Sequence, residues 1–156
     1  MSDSTNGWEL RVSRHIAAAP ELVWRVMTER TGEWFCPKPW RYEVVARDAR
    51  PGGHETSVMH GPDGEEIRND GVYLAWEPGR RFVVTDAFSE DFTPKEPFMV
   101  GFFEVAPDGD GTLYTARARH WTEEAMRRHL AMGFEEGWGV VADQLKALCE
   151  AEAATG

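Results

Sequence analysis

Between Tyr42 and Phe103, clusters of turn-forming residues recur about every ten positions. Pro51-Gly52-Gly53, Gly61-Pro62-Asp63-Gly64 and Glu77-Pro78-Gly79 punctuate this stretch, and Asp108-Gly109-Asp110-Gly111 continues the series beyond it. Glycine and proline supply backbone angles that other residues resist, so each cluster marks a reversal of the chain. The segments between them have strand-like content, which predicts an antiparallel meander of about six strands. Ser89 to Pro97 is too polar and proline-broken for a strand and is expected to be a longer loop, of the kind that can form a lid.

The flanks of the meander complete the order of elements. Trp8, Leu10, Val12 and Ile16 are separated by polar residues with the period of a half-buried strand. Pro20 suits a first helical position, and Leu22, Val23, Val26 and Met27 predict a short amphipathic helix that stops near Thr31-Gly32. The loop from Glu33 to Trp40 gathers Trp34, Phe35 and Trp40 around two prolines, and reads as either a structural plug or a pocket rim. At the other end, Thr122 is a good N-cap with Glu123 and Glu124 behind it. Met126, Leu130, Phe134, Trp138, Val141, Leu145 and Leu148 then predict one helix running to about Glu150, with an apolar face against the sheet. Gly133, Gly137 and Gly139 fall inside it. Gly133 and Gly137 share a face, which either admits a close backbone or leaves room beside Phe134 and Trp138.

The chain has 156 residues, enough for one ordinary domain. The expected organisation is a flexible N-terminus at 1–7, a single domain at 8–150 and a flexible C-terminus at 151–156. Seven Trp and eight Phe are more than packing alone requires, and rigid aromatics are the usual wall of a small-molecule cavity. A formal charge of -10 opposes attraction to phosphate backbones and anionic bilayers, so nucleic acid is an unfavourable partner. The first residues lack a basic and apolar leader, and no stretch has the length of a membrane span, so no membrane insertion and a cytoplasmic location are expected. Cys36 and Cys149 form no CxxC pair, and the five histidines show no metal-ligand spacing. Both cysteines are expected as thiols, and neither metal nor cofactor is assigned.

The order strand, helix, aromatic loop, meander and long helix resembles the helix-grip layout of the START-like (SRPBCC, Bet v-like) superfamily: an α+β fold in which a curved antiparallel sheet of about seven strands wraps around a long C-terminal helix. The local motifs resemble one bacterial family within it, the homologues of the activator of heat-shock protein 90 ATPase. They are Trp34-Phe35 followed by Pro37, Arg50-Pro51-Gly52-Gly53 leading to Met59-His60-Gly61-Pro62-Asp63-Gly64, and Gly71-Val72-Tyr73-Leu74. Thr85-Asp86-Ala87-Phe88, Pro97-Phe98-Met99, Arg119-His120-Trp121 and Met132 through Gly139 with Asp143-Gln144-Leu145 fit one branch of it. The resemblance covers about Trp8 to Leu148. It implies an apolar ligand held between sheet and C-terminal helix.

Two departures from the resemblance stand out. Relatives tend to carry large apolar residues where this chain has Glu55 and Ser57, in the row shared with Met59. A carboxylate facing an apolar pocket is costly unless paired, so Glu55 either reads a polar group on a ligand, works as an acid or base with His120, or reaches solvent at an open end. Cys36 stands where relatives commonly have Gly, and it reads as an unreactive thiol more readily than as a reactive one. The period of two puts Tyr114, Ala116, Ala118 and His120 in the inward row of the last strand. There His120 serves as acid, base or hydrogen-bond donor, or else as a satisfied structural group.

The leading expectation is a binding protein for a small hydrophobic molecule, lipid-like, aromatic or polyketide-like, rather than an enzyme. The candidate contact residues are Trp34, Phe35, Trp40, Glu55, Ser57, Met59, Phe88, Phe98, His120, Met132, Phe134 and Trp138. The alternative is a small cyclase, hydrolase or lyase using His120 and Glu55, which requires the two to converge on one cavity. A co-chaperone that activates an ATPase follows only from the family name. Edge strands and an exposed sheet face are compatible with a homodimer.

Overall fold

The computed structural model describes residues 8–155. Residues 1–7, expected as a flexible N-terminus, lie outside the described residues. The chain begins with strand β1 (Glu9–Ile16), helix α1 (Pro20–Glu29) and a single tight turn at Thr31–Glu33. Strands β2 (Arg41–Arg47), β3 (His54–His60), β4 (Glu66–Glu77) and β5 (Arg81–Thr85) follow. A small hairpin, β6 (Phe88–Ser89) with β7 (Thr93–Pro94), interrupts the meander before β8 (Val100–Asp108) and β9 (Gly111–Arg119). Two helices end the chain, α2 (Glu123–Ala131) and α3 (Phe134–Thr155).

Seven strands form one sheet in the order β1-β9-β8-β5-β4-β3-β2, with every neighbouring pair antiparallel. The first and last strands pair, and β2 is carried to the far edge by α1 and the aromatic loop. Two register shifts bend the sheet, between Val44 and Ala46 on β2 and between Tyr73 and Ala75 on β4. Each inserts an extra residue, Val45 and Leu74, whose side chain is exposed. A bulge increases local twist and reverses the facing of every residue after it. Arg47 thereby joins Tyr42 on the inner face.

The inner face carries the core. Ile16, Tyr73, Phe82, Phe103, Val105 and Tyr114 from the strands meet Val23, Val26 and Met27 of α1 and Phe134, Ala142, Leu145 and Cys149 of α3. From Gly139 through Ala142 and Leu145 to Cys149, steps of three and four along α3 place its buried residues on one stripe. Trp34 is fully buried behind this layer, and its indole N–H donates to the Met27 carbonyl at 3.3 Å.

The predicted single C-terminal helix is instead two. Gly133 has φ +93°, a left-handed conformation that ends α2 and that side-chain-bearing residues resist. Gly137 N–H then donates to the Gly133 carbonyl at 2.8 Å in the first turn of α3. The break rotates α2 relative to the expected face, so that His129 is buried while Leu130 and Met132 face outward, Met132 at 68% exposure. Gly133 and Gly137 therefore make no shared groove, and a Cβ at either would meet nothing within 4 Å. α3 also continues to Thr155, through residues expected as a flexible tail.

Candidate functional site

A cavity of about 400 Å³ lies between the inner face of the sheet and α3. Its wall is mainly apolar: Phe35 from the aromatic loop, Met59 from β3, Phe82 and Val84 from β5, Phe103 from β8, Tyr114 from β9, and Trp138 and Val141 from α3. Aromatic rings pack against one another around it. Phe103 stacks on Phe82 at 5.0 Å and on Trp138 at 5.8 Å, while Phe35 meets Phe103 at 5.3 Å. The segment following the small hairpin contributes Phe98 and Met99. Asp86 ties that segment down, its Oδ1 accepting the backbone N–H of Phe98 at 2.9 Å and of Met99 at 3.2 Å.

The polar part of the wall centres on Glu55. Its Oε1 accepts from Arg47 Nε at 2.8 Å and from the Tyr73 hydroxyl, and its Oε2 accepts from the Tyr42 hydroxyl at 2.7 Å. Arg47 is committed at its other nitrogens too, donating to the Thr28 carbonyl at 2.7 Å and to Thr31 Oγ1 at 3.2 Å. Burial works against the Arg47 charge, but the Glu55 carboxylate holds its pKa above the ordinary value. Burial, together with that carboxylate, pushes the Tyr42 and Tyr73 hydroxyls well above the usual tyrosine range. They therefore act as fixed neutral donors. Glu55 is thus neither left to solvent nor joined to His120. Arg47 escaped the sequence reading because strict alternation assigns it to the outer face, and only the bulge at Val45 turns it inward.

Of the residues predicted from the sequence, Phe35, Glu55, Ser57, Met59, Phe98 and Trp138 line the cavity. The others lie elsewhere. Trp34 sits one layer behind, edge-on to Phe35 and Tyr114. Trp40 stands against the β3–β4 turn beside Gly61, and Phe88 belongs to the small hairpin. Phe134 backs Trp138 at 4.6 Å, and Met132 faces outward. Thr31, Asn69, Asp70, Gly71, Thr85 and Asp86 complete the lining, none of them singled out for it beforehand. Asn69, Gly71 and Tyr73 do alternate along β4, and that period was the available signal.

His120 is buried but does not line the cavity. Its Nδ1 faces the Trp8 carbonyl at 2.8 Å, which requires an N–H there, and its Nε2 meets His129 Nδ1 at 2.9 Å. Burial, and secondarily His120, pull the His129 pKa down to about 4. Phe98 lies against the pair, 4.6 Å from His129 and 6.2 Å from His120. No hydrogen bond joins His120 to Glu55 among the described residues, so the acid-base couple required by the enzyme reading is not brought together. Cys36 is buried, its thiol pushed up to about 11 by burial alone.

A seven-stranded antiparallel sheet closed over a long C-terminal helix, with an apolar cavity between them, defines a helix-grip protein. Residues 17–150 match the family described as Activator of Hsp90 ATPase homolog 1-like protein, and the chain belongs to that family. It is similar to a solved structure of a Nitrosomonas europaea protein, at 38% identity and TM-score 0.86, over 94% of this chain and 96% of the other. A Mycobacterium smegmatis protein matches at 25% identity and TM-score 0.75, over 94% and 93% of the two chains. The crystal structure of the AHSA1 protein from Silicibacter pomeroyi, at 22% identity and TM-score 0.68 over 92% and 99%, shares the fold. No curated protein matches the chain. Among the described residues, no helix is long and apolar enough to cross a membrane.

Proposed function

We propose that this protein binds a small hydrophobic molecule, lipid-like, aromatic or polyketide-like, in the cavity between the sheet and α3. The observation that supports this reading is the cavity itself: about 400 Å³ walled mainly by aromatic and aliphatic side chains, beside the buried core. That volume falls within the range of small-molecule sites. Protein interiors ordinarily close such spaces, because unfilled apolar volume forfeits contacts on every side. The buried Glu55–Arg47–tyrosine network stiffens one side of the wall and satisfies its own charges, which favours carriage or sensing over chemistry at that carboxylate.

Native mass spectrometry of the purified protein, followed by a thermal-shift screen of hydrophobic compounds, tests the proposal. A ligand at about 100 times its Kd stabilises the fold by about 2.7 kcal/mol, a shift of several degrees for a chain of this size. Val141→Trp, which projects a large ring into the cavity and obstructs it, is expected to reduce that shift while the protein stays folded. A screen without a hit, combined with a crystal structure in which the cavity has collapsed, would contradict the proposal.

A further inference from the structure

We infer that Tyr114 is the polar anchor of this cavity, its hydroxyl donating a hydrogen bond to a neutral acceptor, a ketone or ester carbonyl, on an otherwise apolar ligand. The inference rests on the reading of the cavity as a ligand site and adds what the ligand must carry.

The buried hydroxyls of the lining carry the argument. Thr31, Tyr42, Ser57, Tyr73, Thr85 and Tyr114 all border the cavity, and none is more than 9% exposed. Thr31 donates to the Met27 carbonyl at 2.9 Å and Thr85 to the Met99 carbonyl at 3.0 Å. Tyr42 and Tyr73 donate to Glu55, and Ser57 is hydrogen-bonded to Tyr42. Only the Tyr114 hydroxyl has no partner among the described residues.

Its placement says where a partner can come from. Tyr114 is 1% exposed on the inner row of β9, its ring edge-on to Trp34 at 6.1 Å. Among the described residues, the polar side-chain atoms that are both unpartnered and sealed from water are His54 Nε2 and Glu77 Oε1. The Tyr114 oxygen is not one of them, so a molecule the size of water can touch it, and on the inner row that opening is the cavity. Burial alone raises its pKa above the usual tyrosine range, with no hydrogen bond contributing, so it stays a neutral donor. A buried tyrosine hydroxyl ordinarily finds a partner, and here the cavity is the side from which one can reach it.

The charges around the cavity select the kind of acceptor. Arg47 is the one cation among the lining residues, and its three nitrogens already donate to Glu55, Thr28 and Thr31. Lys95 lies outside the lining, donating to the Asp70 carbonyl on β4, three strands from β9. A carboxylate at Tyr114 would be buried without a counter-charge, whereas a carbonyl brings only a dipole. A hydrocarbon of the same shape would fill the space and leave the phenol unpaired, which is a penalty as well as a lost contact.

The test uses three probes that share two phenyl rings, benzophenone, diphenylmethane and diphenylacetate, each displacing Nile red at pH 7.5 from the wild type and from Tyr114→Phe. The ratio of benzophenone to diphenylmethane affinity is expected to fall about fivefold in the variant, the size of one neutral hydrogen bond. Diphenylacetate is expected to bind the wild type at least about tenfold more weakly than benzophenone. The carbonyl stretch of bound benzophenone should lie at lower frequency in the wild type than in Tyr114→Phe. The unliganded variant should melt within about 2 °C of the wild type, because no bond inside the protein is lost. An affinity ratio unchanged by the substitution overturns the inference, and is the result expected of a hydroxyl that holds water only. A melting point lowered by more than about 4 °C overturns it as well, by revealing a partner within the protein. Diphenylacetate binding as tightly as benzophenone overturns the choice of a neutral acceptor. Failure of Nile red and all three probes to bind removes the ligand site itself, and the inference with it.

Discussion

Removing one partner of the Arg47–Glu55 pair exposes how the cavity wall is held. The two side chains are 16% and 12% exposed and 2.8 Å apart, so each has given up most of its hydration for the other. Arg47→Met leaves the Glu55 carboxylate with only the two tyrosine hydroxyls and removes the shorter of two hydrogen bonds to the Thr28 carbonyl, leaving the one from Thr31 Oγ1 at 3.2 Å. Breaking a fully buried pair costs about 3–5 kcal/mol, and the residual exposure of this one lowers the expectation to about 2–4 kcal/mol. Glu55→Met strands the guanidinium instead, at a similar cost. The double variant carries no uncompensated charge, although it loses the acceptor of two hydroxyls and the Arg47 donors to Thr28 and Thr31, so it is expected to be less destabilised than the sum by about 2 kcal/mol. Urea unfolding followed by tryptophan fluorescence measures all three, since a domain of this size has about 5–15 kcal/mol to lose. Single losses below about 0.5 kcal/mol that simply add would refute a desolvated pair.

Other consequences follow from single residues. His129 has a folded pKa of about 4 against an ordinary 6.5, so the unfolded chain takes up the proton first. Its contribution is therefore complete above about pH 6.5 and is lost as pH falls towards 4, with an upper size of about 3 kcal/mol. Chemical denaturation at pH 7 and pH 5 should show this loss in the wild type and a flatter profile in His129→Gln. The Cys36 and Cys149 thiols, raised by burial to about 11 and about 12, should be alkylated at pH 7.5 at least about 100-fold more slowly than free cysteine. Fast labelling of either would contradict the buried placement. Gly133→Ala should cost about 1 kcal/mol, because only the left-handed backbone opposes it. Gly53→Ala should cost more than about 3 kcal/mol, because its Cβ would fall 1.9 Å from the Asp48 carbonyl oxygen.

The order of strands was legible because glycine and proline announce reversals locally, and Pro51-Gly52-Gly53 or Glu77-Pro78-Gly79 mean the same thing wherever they occur. The inward row of the last strand was legible for a similar reason: β9 contains no bulge, and Tyr114, Ala116 and Ala118 are all buried on one side. Facing was lost wherever a bulge intervened. Nothing in Val44-Val45-Ala46 marks the extra residue, so Arg47, the partner that makes Glu55 tenable, stood on the wrong face in a strict alternation. The break at Gly133 was hidden for a different reason. Apolar spacing runs through it unchanged, and glycine is compatible with a helix interior as well as with its end. Met132 was misdirected as a result, while Trp138, beyond the break, was not. Asp86 and Met99 belong to a segment without a period, where tertiary hydrogen bonds rather than pattern decide which side chain faces the cavity.

The central claim is that a hydrophobic molecule occupies the space between the sheet and α3, and methyl-labelled NMR addresses it directly. Titration with decanol is expected to shift the methyl signals of Met59, Val84, Met99 and Val141, which line the cavity, while those of Val45 and Met132 on the exterior stay in place. Saturable shifts confined to the first set would bear out the account. Shifts confined to the exterior set, or none at concentrations that saturate comparable cavities, would contradict it.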